Sequence, residues 1–199
     1  IEHALVTPSC RYRCLQPVVS PMDWKGSVVP TYLRLSPILR RMTTDSSDLL
    51  FATEVVPYLI DVWLTDYARA TGGGRDIVVT TAAKFSYLFD ISSERLVAAW
   101  GLSEGRHGAP RDHSRMAGHP LSAGPMYHRG HAIPHTLGGP TDINLVPQRG
   151  AVNIGPFRAL EREAVASPGS LYFTYWIYAR SSGQLPVSVE QGLLIPGKT

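Results

Sequence analysis

Residues Tyr127 to Ala166 read YHRGHAIPHTLGGPTDINLVPQRGAVNIGPFRALEREAVA, and the order of elements in this stretch decides the fold. Tyr127 to His131 suits a short strand. It closes on a Gly that lets the backbone turn tightly and a His expected to stand exposed at the strand end. Residues 132–142 form a loop, marked by Pro134, Gly138, Gly139 and Pro140. Asn144 to Val146 fits a second short strand, which Pro147 is expected to end. A helix then runs from about Ala151 or Val152 to Ala166. Pro156 is compatible with it, because a proline in the first turn lacks only an N–H that would be unpaired anyway. Phe157, Leu160 and Ala164 recur at helical spacing and mark its buried stripe. The order is strand, loop, strand, helix.

That order gathers particular chemistry. Asn153 falls in the first turn of the expected helix and Glu161 eight residues later. On a continuous helix they stand roughly 80° apart and about 12 Å along the axis. A helical Glu leans toward the N-terminus, so its carboxylate approaches the space that Asn153 faces. An amide oxygen and a carboxylate thus lie near a helix N-terminus, a place that attracts phosphate. His131 can face the same place from the strand end. Hydrolysis of a phosphodiester needs a base for water, an oxygen-ligated hard cation and a positive group for developing charge. His131, Asn153, Glu161 and Arg129 are of those types. Asn144 and Gln148 can pair backbone in the turn as readily as they contact substrate. His128 and His135 are expected at the surface.

In Arg129-Gly130-His131, Asn144-Leu-Val-Pro147-Gln148 and Asn153-Ile-Gly155-Pro-Phe157-Arg-Ala-Leu160-Glu161, the chain resembles the DNA/RNA non-specific endonucleases of the ββα-metal (His-Me finger) group. The likeness spans about 40 residues. His128 stands where that family usually has Asp, and Phe157 where it has Trp. The Leu137-Gly138-Gly139-Pro140 loop looks more like nuclease domains of bacterial polymorphic toxins. The resemblance implies an α+β fold with a mixed or antiparallel sheet and a ββα-metal site. It implies that His131 is the general base, Asn153 the direct protein ligand of Mg²⁺ (Mn²⁺ substituting), and Glu161 the holder of a metal-bound water. Arg129 would contact the phosphate or the leaving group, and Asn144 would fix the loop or the scissile phosphate. DNA and/or RNA is the implied substrate. Alternatives are a toxin RNase on the same fold, blocked by an immunity or inhibitor protein, and a non-catalytic nucleic-acid-binding domain. A protein of this kind is secreted or delivered into a target cell.

Outward from this stretch, strands are expected at Asp76–Thr81, Phe85–Phe89 and Arg95–Trp100. A further strand, Leu171–Ala179, should pair with Leu185–Leu194 as a hairpin. Residues 101–126 lack either period, and the loop carries Arg106, His107, Arg111, Asp112, His113, Arg115 and His119. They would make a positive rim for a polyanion. Residues 46–70 read as two helical pieces, with Ser47 or Asp48 as a cap and Pro57 starting or kinking the second. Leu59, Val62, Trp63 and Tyr67 form its apolar face, and Gly72–Gly74 a hinge. Residues 1–48 read as a Pro-rich arm, so 1–75 is expected to be an accessory segment and 76–199 the nuclease domain.

Composition bounds the rest. The 199 residues are 44% hydrophobic and 18% charged, which excludes a disordered chain. The most apolar stretch, Leu49 to Leu64, is interrupted by Glu54, Pro57 and Asp61, so no membrane span is expected. The net charge of +3 rests on 16 Arg against three Lys; the Arg fork suits phosphate, and codon bias would give the same excess. The chain begins with Ile, which reads as a processed product or a fragment. Cys10 and Cys14 have no His at metal-ligand spacing, so they form no zinc site. Either they form a short-loop disulfide, which implies an oxidising compartment, or they are two free thiols.

Overall fold

The computed structural model describes residues 5–7, 10–15, 32–72, 76–110, 114–117, 123–154, 156–179 and 183–197. The architecture is α+β, and every strand pair in it is antiparallel. The main sheet has seven strands: β1 (Leu5–Thr7), β2 (Cys10–Leu15), β3 (Ile77–Ala82), β4 (Phe85–Asp90), β5 (Arg95–Leu102), β8 (Leu171–Ile177) and β9 (Ser188–Pro196). Their spatial order is β1-β2-β9-β8-β5-β4-β3. A separate two-stranded sheet joins β6 (Tyr127–His131) to β7 (Leu145–Arg149). The helices are α1 (Leu35–Leu39), α2 (Ser47–Leu50), α3 (Val56–Thr71), α4 (Gly150–Ile154) and α5 (Pro156–Ala166). A π-helical turn, Phe51–Val55, links α2 to α3, and Pro57 lies in the first turn of α3.

Strand β8 explains the layering. All seven of its residues are buried, because side chains alternate between two covered faces. Phe173 and Tyr175 meet Trp63 of α3 at ring separations of 5.5 and 6.0 Å. Trp176 meets Phe157 of α5 at 6.2 Å on the other side. The sheet is thus held between α3 and the strand–strand–helix unit. The expected stripe of α5 is the buried one: Phe157, Leu160 and Ala164 are all in the core. So are Leu59, Trp63 and Tyr67 of α3, while Val62 is half-buried. Gly72 ends α3 in the left-handed conformation that suits a helix C-cap; the other two glycines of the expected hinge lie outside the described residues.

Strand β4 departs from simple alternation. Phe85 and Tyr87 are buried as expected, but the register shifts between Leu88 and Phe89, so Leu88 is buried and Phe89 half-buried. A bulge of this kind turns the following side chain to a new direction. The β8–β9 hairpin pairs as expected, with β9 starting at Ser188 rather than Leu185.

The described parts of residues 1–75 are tied into this core. Strand β2 adds to β9, and α3 supplies Trp63 to the aromatic cluster of the sheet. In β2, Cys10 pairs with Pro196 and Cys14 with Gly192. Four residues of extended strand separate their α-carbons by about 13 Å, whereas a disulfide needs less than about 7 Å. The disulfide alternative is therefore corrected: this strand cannot hold a Cys10–Cys14 bond.

Candidate functional site

The strand–strand–helix unit is built from the pairing of β6 and β7, in which Arg129 lies opposite Pro147 and His131 opposite Leu145. Pro147 does not end the second strand, as the sequence suggested, but sits inside it. A two-stranded sheet has free edges on both sides, where a missing N–H breaks no ladder. Gly130 is required by packing: a Cβ there would come within 2.1 Å of the Gln148 side chain. Gln148 is buried and donates from Nε2 to the His131 carbonyl at 3.3 Å. This is a bond to backbone, one of the two contacts open to it from sequence.

The loop between the strands is organised by Asn144, which is fully buried. Its Oδ1 accepts from the Ile133 N–H at 2.7 Å. Its Nδ2 donates to the Ile133 and Pro140 carbonyls at 2.8 and 2.9 Å. These bonds satisfy backbone groups of an irregular loop, those of the fully buried Ile133 among them. Gly139 completes the fold-back, since a Cβ there would lie 1.9 Å from the Ile133 carbonyl oxygen. Of the roles expected for Asn144, loop fixing is the one these bonds serve.

That fold-back changes the setting of His131. The sequence suggests an exposed strand end, but His131 is only 9% exposed. The chain after it doubles back, burying Ala132 and Ile133, and a 3-10 turn, His135–Leu137, brings the His135 ring edge-on to His131 at 6.1 Å. His135 in turn meets His107 at 6.3 Å. The His107 N–H donates to the Thr136 carbonyl at 2.7 Å, tying the long loop to this turn. His128 and His135 are half-buried rather than at the surface. His128 packs on Gly150 at the start of α4, where a Cβ would be 2.9 Å from its Cε1.

Glu161 reaches the same turn from α5. Its Oε1 accepts a hydrogen bond from Thr136 Oγ1 at 2.5 Å. It also lies near Tyr172 of β8: burial, with the Glu161 carboxylate adding to it, pushes the Tyr172 hydroxyl far above its ordinary value. His131 and Glu161 are therefore drawn to one turn, His131 against His135 and Glu161 against Thr136. Asn153 is half-buried on α4, which packs against β6, β7 and α5. Arg129 lines a cleft of about 570 Å³ together with residues of β4 and β7.

Sequence reasoning missed His107, His135 and Thr136 as neighbours of the site. The clustering of most histidines between His107 and His135 was the available signal. Of the expected positive rim, Arg106 and His107 are exposed. Arg111, Asp112, His113 and His119 lie outside the described residues, as does the side chain of Arg115. Among the described residues, no three His, Cys, Asp or Glu side chains converge as a metal-ligand set. The amide oxygen of Asn153 and the carboxylate of Glu161 are hard oxygen donors, both half-buried, and so suit Mg²⁺ or Mn²⁺. Comparison with protein-family models and with curated proteins gives no match to this chain.

Proposed function

We propose that this chain is a Mg²⁺-dependent endonuclease that hydrolyses phosphodiester bonds of DNA and/or RNA on a ββα-metal site. The observation that carries the reading is the meeting of His131 and Glu161 around one turn inside a strand–strand–helix unit. A hydrolysis by this chain divides among its residues as follows. The neutral His131 imidazole takes a proton from water, and the edge-on His135 ring holds its plane. Arg129 provides a fixed positive charge two residues upstream. Asn153 and Glu161 are the oxygen donors that would hold the cation, which when bound would supply positive charge against the charge that develops on the leaving group. Buried Asn144 and Gln148 keep the loop closed behind His131, so that the base does not drift.

Incubation of the full chain with supercoiled plasmid and with total RNA tests the reading. Cleavage should need Mg²⁺ or Mn²⁺ and stop in excess EDTA. Cleavage of RNA alone would identify the toxin-RNase form. Full activity in EDTA, or no cleavage of either polymer at any Mg²⁺ concentration, would sink it.

A further inference from the structure

The cleft beside Arg129 is of a size that ligands fill, about 570 Å³. Its walls come from different parts of the chain: Phe89 of β4, Leu145 and Pro147 of β7, and Tyr178 just after β8. Phe89, Leu145 and Pro147 are only half-buried, so they offer apolar surface to an occupant. Tyr178 is a rigid wall. Its hydroxyl donates to the Leu96 carbonyl at 2.9 Å, and Arg95 stacks on its ring at 4.9 Å. Charged groups line the cleft as well: half-buried Arg129, and Glu94 and Asp142, which are exposed. Gln184 Nε2 donates to Glu94 Oε2 at 2.5 Å, which holds that carboxylate at the mouth.

An apolar and aromatic floor accepts the flat face of a base, and a cation beside it accepts the attached phosphate. The carboxylates select among bases. An ionised carboxylate offers two acceptors and no donor. Guanine alone presents two adjacent donors, N1–H and N2–H₂, on its pairing edge. Adenine, cytosine and uracil place an acceptor beside each donor. Arg129 and His131 are two residues apart on β6, about 7 Å along the strand, a span that a single nucleotide covers.

We propose that this cleft is a guanine-binding subsite, which seats an unpaired guanine next to the phosphate that Arg129 contacts. The subsite rests on the nucleic-acid reading above and narrows it to single-stranded, guanine-flanked substrate.

Calorimetric titration of the full chain, without divalent metal, tests the subsite. The probes are guanosine, adenosine, cytidine and uridine 5′-monophosphates and inorganic phosphate. The guanine nucleotide should bind at least about tenfold more tightly than the other three, and phosphate more weakly than any of them. Glu94→Gln changes an exposed turn residue, so the fold is kept; guanine affinity should drop to the level of adenine. Phe89→Ala should weaken all four nucleotides by about 5- to 100-fold, the usual worth of one stacked base. Phosphate binding as tightly as the guanine nucleotide, or a guanine preference that survives Glu94→Gln, overturns the subsite. The two readings fail separately. Plasmid or RNA cleavage without nucleotide preference overturns the subsite and leaves the nuclease. Guanine binding without any cleavage supports the cleft and removes the nuclease.

Discussion

In the proposed reaction His131 carries the heaviest load of any single residue, and its burial changes how it should be tested. Alanine would open a cavity beneath His135, so glutamine, of similar size, is the cleaner replacement. His131→Gln should lower nucleic-acid cleavage by about 10²- to 10⁴-fold, the usual worth of general-base assistance, with an unchanged urea midpoint. Asn153→Ala should also lower the rate, and raised Mg²⁺ should recover part of it, whereas His131→Gln should show no recovery. Equal rescue of both would reverse the assignment of base and ligand. Glu190 makes a different residue-scale prediction. It is fully buried on β9 and accepts from Tyr32 Oη at 2.5 Å, while Tyr32 Oη accepts from Trp63 Nε1 at 3.0 Å. Burial, with the Asp66 charge adding to it and the Tyr32 bond opposing, pushes its carboxyl up to about 7 from 4.5. A raised carboxyl stabilises the fold fully below the unfolded value and loses that contribution as the pH rises through 7. The loss is on the order of 3 kcal/mol. The urea midpoint should therefore fall between pH 5 and pH 8, and Glu190→Gln should flatten that fall; an equal slope in both proteins would contradict it. Asp90 acts in another window. Burial raises it, but bonds from Tyr67, Ser92 and Ser93 outweigh this and hold its carboxyl below the ordinary value, so its contribution is lost only in acid.

At the scale of elements, the loop between β6 and β7 behaves as a built part. Asn144 supplies three hydrogen bonds to it and Gly139 a close backbone approach. Removing a buried side chain of this kind leaves backbone groups unsatisfied, at about 1–3 kcal/mol each. Asn144→Ala should therefore lose at least about 3 kcal/mol of stability in urea as well as activity. Activity loss with unchanged stability would assign Asn144 to the substrate instead of the loop. The first part of the long loop is anchored in the same way: Ser103 Oγ donates to the Ala164 carbonyl at 2.7 Å, joining it to the last turn of α5.

At the scale of the molecule, α3 and the sheet share one hydrophobic core. Trp63 is fully buried and touches Trp100, Phe173 and Tyr175. Tyr175 Oη donates to Asp66 at 2.7 Å and Tyr67 Oη to Asp90 at 2.6 Å, so polar bonds cross the same interface. Trp63→Ala should cost about 3–5 kcal/mol and lower a single cooperative unfolding transition. Two separate transitions, with only the first shifted, would mean that the N-terminal segment folds apart from the rest. Cys10 and Cys14, spaced by the strand they share, should both react with a thiol reagent after unfolding without reductant.

Local features were legible from sequence wherever a short-range period or a proline and glycine mark stated them. Strand β6, the stripe of α5, the face of α3 and the β8–β9 hairpin depend on side chains that repeat along one element, and hydrophobic burial makes such repeats visible. The spacing of Asn153 and Glu161 was not legible, because the one helix expected from about Ala151 to Ala166 is two, with Asn153 on α4 and Glu161 on α5. What the sequence could not state are contacts between distant segments. The burial of His131 depends on a fold-back held by Asn144. Its histidine neighbour belongs to a turn, and His107 comes from a loop that starts near α5. Pro147 within a strand, and the Arg129 cleft with walls from β4, β7 and the end of β8, depend on which edges pair. The free energy of these arrangements comes from long-range packing and from satisfying buried backbone groups. No single stretch of chain contains either term, so only the tertiary structure decided them.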